Sequence, residues 1–134
     1  MIRFEDEFDG LFFTESVLSV PIVHDNNVRV AVRGLFPIKE HSLLKFTKGP
    51  VSGILVFEGV VRSERVLVEY IGDSRKPEGF REPRRESDGP FAAIPEIQLH
   101  EFAFEGFWEH PPAWVDGWEI KACKFFLEVS EFPS

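Results

Sequence analysis

Apolar and polar residues alternate most clearly over residues 16–36. Leu18, Val20 and Ile22 interleave with Ser19 and Pro21, His24-Asp25-Asn26-Asn27 tolerates positive φ, and Val28, Val30 and Val32 interleave with Arg29, Ala31 and Arg33. A period of two puts each apolar set on one side of a strand, so the segment predicts a hairpin with one apolar and one wetter face. Pro21 has no N–H to give to a ladder, which places the first strand at an edge or a bulge. Residues 53–61 read differently: the run is β-branched and almost continuous, as in a central strand covered on both faces. Gly59 within it predicts a bulge or a close backbone approach. After a turn at Ser63-Glu64-Arg65, residues 66–71 predict the next strand, with a short helix capped by Ser63 as the alternative.

Elsewhere the alternation slips or fails. Ile38, Leu43, Leu44 and Phe46 suit a short strand or a helical turn. Residues 72–90 hold five acids (Asp73, Glu78, Glu82, Glu86, Asp88) against five bases (Arg75, Lys76, Arg81, Arg84, Arg85), broken by Pro77, Pro83, Pro90 and three glycines. They predict one long polar loop, a length that is usually functional or mobile. Phe80 is its one residue with reason to pack, on the domain or on a partner. Strand character resumes at Phe91 through Ile94, Ile97 and Leu99, and the phase change before Phe102 and Phe104 predicts a bulge or corner at His100-Glu101. Pro111-Pro112 forbids a strand interior, Asp116-Gly117 predicts a turn, and residues 118–129 predict a last strand bulged near Ala122-Cys123.

These elements predict an all-β fold: an antiparallel β-sandwich or open barrel of about seven to nine strands, one domain over residues 1–134. Composition agrees, since phenylalanine supplies 15 of the aromatic residues and the chain has 134 residues in all, enough for one core. The formal charge of −8 opposes binding to nucleic acid or an anionic membrane and suits a basic protein partner. Cys123 is the only cysteine, so no disulfide forms within the chain. The acidic start, Glu5-Asp6-Glu7, is unlike a secretory signal, and no apolar run is long enough to span a bilayer, so a cytoplasmic protein is expected.

Chemistry-bearing motifs are scarce. Glu5, Glu7 and Asp9-Gly10 share the alternate spacing of a calcium loop, but Glu5 stands where its first aspartate belongs and Ser16 where its closing glutamate belongs. His24, His41, His100 and His110 lack metal-ligand spacing, no serine-nucleophile motif or phosphate-binding glycine loop occurs, and Cys123 reads as a small core residue within a Phe-rich strand. The reading leans away from an enzyme and expects neither cofactor nor metal. The three tryptophans lie within residues 102–118. Trp118, Phe102 and Phe104 keep strand phase and read as core, whereas Trp108 and Trp114 flank the proline break and are the candidates for exposure. With Phe80, Arg81, Arg84 and Arg85 of the polar segment they form the expected partner-binding set, since tryptophan and arginine anchor many interfaces.

The strand order, carried by residues 16–20, 27–32, 54–60 and the late Trp118-Glu119-Ile120-Lys121-Ala122 run, resembles small all-β bacterial immunity proteins of polymorphic toxin systems. The resemblance implies an intracellular, non-catalytic inhibitor that binds a toxin domain; an acidic surface would suit a basic nuclease. A small-ligand or carbohydrate-binding β domain using exposed tryptophans is the alternative, a hydrolase with dispersed carboxylates or histidines is a third reading, and a homodimer remains open.

Overall fold

The computed structural model describes residues 2–73, 76–94, 98–109 and 112–131. Its strands are β1 (Ile2–Glu5), β2 (Leu11–Phe12), β3 (Val17–Leu18), β4 (Ile22–His24), β5 (Asn27–Pro37), β6 (Val51–Glu58), β7 (Arg62–Asp73), β8 (Lys76–Phe80), β9 (Arg84–Ser87), β10 (His100–Glu109), β11 (Pro112–Ala122) and β12 (Lys124–Glu131). Short 3-10 turns occupy Phe8–Gly10 and Ser42–Lys45. The strands join in one mixed sheet that does not close, in the order β1-β12-β6-β5-β3-β10-β11-β7-β8.

Two long strands organise it. β5 pairs β6 along one edge and takes β4, β3 and β2 in succession along the other. β7 pairs β11 on one edge, and on the other it receives β9 opposite residues 64–67 and β8 opposite residues 70–73. The halves meet where β3 lies parallel to β10, with Val17 opposite Phe107 and the Phe107 N–H donating to the Ser16 carbonyl at 2.9 Å. A Cβ on Gly106 would stand 2.9 Å from that same carbonyl oxygen, so glycine is what lets the strands approach.

The sheet curls so that its halves face each other. Phe57 of β6 meets Phe102 and Phe104 of β10 at ring separations of 5.5 and 5.8 Å, and Phe8 wedges against Phe13, Phe102 and Phe125 at 5.0–5.2 Å. Val28, Val30 and Val32 are buried, as the alternation of β5 predicts, and Leu55, Val56 and Phe57 are buried on both sides of β6. Each such side chain contributes about 1.5–3 kcal/mol on transfer from water.

Several expectations are corrected. Among the described residues twelve strands form instead of about seven to nine, and the sheet is mixed, because β3 adds a parallel seam to an otherwise antiparallel ladder. Residues 72–90 are not one loop: β8 and β9 return along the edge of β7, and this edge pairing tolerates charged side chains on both faces. Residues 91–94 form no strand, and Ile97, like the His110-Pro111 part of the proline break, lies outside the described residues. Asp116-Gly117 is a bulge within β11, not a turn: two residues there face one on β10 and one on β7, and Gly117 takes φ 89°. At His100-Glu101, where a bulge or corner is expected, β10 begins and pairs with β11 in unbroken register. The last strand is two, since Cys123 bends the chain and its N–H reaches the Glu58 and Gly59 carbonyls at 3.0 and 3.2 Å. Pro21 does mark an edge, but it separates β3 from β4, so Ile22 is 68% exposed instead of sharing the buried side of Leu18.

His41, one of the four scattered histidines, is 3% exposed. It is buried before the turn at Ser42–Lys45, where its Nδ1 accepts the Leu43 N–H at 3.0 Å, while Glu7 accepts the Ser42 N–H and Oγ–H. Burial lowers its pKa, and the nearby Glu7 charge only partly opposes this.

Candidate functional site

In an unbroken β11, Trp114 and Trp118 would be four residues apart and share a face. The additional residue at the Asp116-Gly117 bulge reverses that phase, so Trp118 points into the core and Trp114 outward. On β10 the inward set is Phe104, Gly106 and Trp108, which leaves Phe107 on the outside opposite Trp114.

The outer face thereby acquires an aromatic stripe. Phe107 and Trp114 meet edge to face at 4.7 Å, Val68 lies opposite Trp114 on β7, and Tyr70, two residues further along the same side, meets Phe80 of β8 at 5.3 Å. Val17 extends the line past Phe107. Phe80 is 58% exposed, and the others are half-buried. The partial burial of Tyr70 raises its hydroxyl pKa. Beyond Val17 the stripe opens into a shallow groove of ≈ 440 Å³, whose walls include Ala31, Arg33, Ser52, Ile54 and Glu109. Glu105 and Glu109 of β10 and Asp116 and Glu119 of β11 border the aromatics, while Arg33 pairs with Glu109 and Arg62 with Glu119. The surface is thus an apolar centre with a charged margin in which the carboxylates are interleaved with Arg33, Arg62 and, beside Val66, Arg85.

The inner side of the same strands uses similar residues differently. Arg65 of β7 is 5% exposed and donates to Asp88 at 2.6 Å and Glu86 at 3.1 Å. Its guanidinium lies 5.0 Å from the Trp108 ring and 4.7 Å from the Trp118 ring. Ser63 donates to Asp88 at 2.7 Å and accepts the Trp118 indole N–H at 3.1 Å. This network ties the segment after β9 to the core. Cation–π attraction and charge-assisted hydrogen bonds strengthen as water is excluded.

Of the six expected partner-binding residues, Trp114 and Phe80 reach the outer stripe. Trp108 does not: it is 5% exposed beneath Arg65, because β10 keeps its alternation through Glu109. The arginines do not form one cationic patch. Arg81 and Arg84 pair with Glu69 at 3.6 and 2.8 Å, and Arg85 pairs with Glu64 at 3.2 Å on the other side of the ladder. Phe107, Val68 and Tyr70 escaped the sequence reading. The legible signal was the two-residue connection between Glu109 and Pro112, which places Phe107 opposite Trp114.

Among the described residues, no group of three or more His, Cys, Asp or Glu side chains could hold a metal ion. None of their helices is long and apolar enough to cross a membrane. No protein-family model matches the chain, and neither a curated protein nor a solved structure shows a significant match to it.

Proposed function

We propose that this chain is a non-enzymatic, cytoplasmic binding protein of the immunity-inhibitor type, which holds a basic protein domain on the outer face of β10, β11 and β7. The observation that carries the reading is the stripe Phe107, Trp114, Val68, Tyr70 and Phe80: half-exposed aromatics in line across adjacent strands are the composition of an interface centre. The formal charge of −8 favours a basic partner and would speed its association at low salt. The resemblance of the strand framework to immunity proteins agrees with this choice.

The alternative is a small-ligand or carbohydrate-binding domain that uses exposed tryptophans; it now rests on Trp114 alone, because Trp108 is buried. Trp114→Ala separates the two. Under the protein-partner reading, a basic protein captured by the wild-type chain is lost on Trp114→Ala and on Phe107→Ala although both variants stay folded, and sugars do not compete. Capture that is indifferent to both substitutions would sink the reading.

A further inference from the structure

A second concavity lies at the end of the curled sheet where the aromatic core comes to the surface. Phe8 and Phe102 are both half-buried, with Phe125 beneath them, and together they form one wall of a cavity of ≈ 270 Å³. The Phe8 ring stands 5.1 Å from Phe102 and 5.0 Å from Phe125, in both cases edge to face. Phe102 is fixed by β10, and Phe8, on the short 3-10 turn, is held against Phe102 and Phe125 by ring packing on the core. The rest of the lining is polar: Asp6, Glu7, Asp9 and Glu101 against Lys124 and His100, with Cys123 at the side. Glu7 is already engaged by the Ser42 N–H and Oγ–H, which leaves Asp6, Asp9 and Glu101 around the opening opposite a single lysine.

An aromatic wall under a net-negative opening selects one ligand chemistry. An apolar body gains by covering Phe8 and Phe102, and a cation gains both from the ring faces and from the carboxylates. An anion would meet three carboxylates, and a neutral polar molecule would leave the rings unused. We infer that this cavity is a binding site for a small organic ammonium compound, its apolar body on Phe8 and Phe102 and its charged nitrogen toward Asp6, Asp9 and Glu101. The site is independent of the outer stripe.

Benzylamine, with benzyl alcohol as its uncharged counterpart, provides the test by calorimetry and by the alkylation rate of Cys123. Benzylamine is expected to saturate with a dissociation constant on the order of 1 mM, about tenfold tighter than benzyl alcohol, and to slow alkylation in step with occupancy. Asp9→Asn combined with Glu101→Gln, both at exposed positions, should weaken benzylamine by about tenfold and leave benzyl alcohol unchanged. Phe102→Leu should weaken both ligands, and the surface double substitution decides the matter if that variant folds poorly. Trp114→Ala should leave amine binding intact, so failure of the outer-face reading is recognised separately. Equal affinity for amine and alcohol, an amine affinity untouched by the double substitution, or no saturation by roughly 20 mM benzylamine overturns the inference.

Discussion

Trp108 stands near the end of β10 and Trp114 near the start of β11, and they face in opposite directions. Trp108 lies against a buried guanidinium whose charge is balanced by Asp88 and Glu86, so its ring helps hold a polar network closed. Trp114 lies against Phe107 with one side open to solvent, so its ring is available to a partner. The arginines divide in the same way. Arg65 is enclosed and paired to a carboxylate that is itself only 9% exposed, whereas Arg81, Arg84 and Arg85 are solvated and paired along the edge of the sheet. Environment, not residue type, decides whether a tryptophan or an arginine is locked into the fold or faces solvent.

That contrast can be broken most forcefully at Arg65. Arg65→Met leaves Asp88 buried without its cation, and urea denaturation should record a loss of about 3–5 kcal/mol. Adding Asp88→Leu should recover much of this, since no uncompensated charge then remains, and a strictly additive double variant would argue against the coupling. Trp108→Ala comes next, at about 3–5 kcal/mol for a large core truncation. Trp114→Ala should cost less than about 1 kcal/mol of stability while abolishing partner capture, the opposite profile.

His41 offers a pH-dependent test on the buried side of the comparison. Its folded pKa is depressed below the ordinary 6.5, so the unfolded chain takes up the proton first as the pH falls. The contribution of neutral His41 is therefore complete above about pH 6.5 and declines below it, toward the depressed folded value. Protonation would also remove the Nδ1 acceptor used by the Leu43 N–H. Stability measured from pH 7.5 to 5 should fall with a component that His41→Leu removes; an unchanged slope in that variant would exclude the assignment. The smallest effects belong to the solvated edge, where Arg84→Ala and Arg85→Ala should each cost about 0.2–1 kcal/mol and less at high salt.

The alternation of Val28, Val30 and Val32 and the continuous run before Glu58 made β5 and β6 legible, because burial of one or both faces writes a direct pattern into the chain. The segment carrying β8 and β9 was illegible for the converse reason. An edge hairpin needs backbone partners but little apolar burial, so its charged, proline-rich sequence reads as loop. At the candidate face, Trp114 and Phe80 could be named from the sequence. Their grouping with Phe107 and Tyr70 could not, because it depends on which strands lie side by side.

The chain by itself determined the all-β class, the hairpin at Asp25-Asn26, the central place of β6 and the acidic balance, since each follows from local periodicity, turn chemistry or a sum over residues. Only the tertiary structure decided which tryptophan is buried, which arginine is enclosed and where the aromatic core opens into a cavity. A one-residue bulge at Asp116-Gly117 reverses the facing of every side chain on one side of it, and a parallel seam at Gly106 brings distant strands together. Both depend on strand pairing between residues far apart in the chain, which no local pattern records.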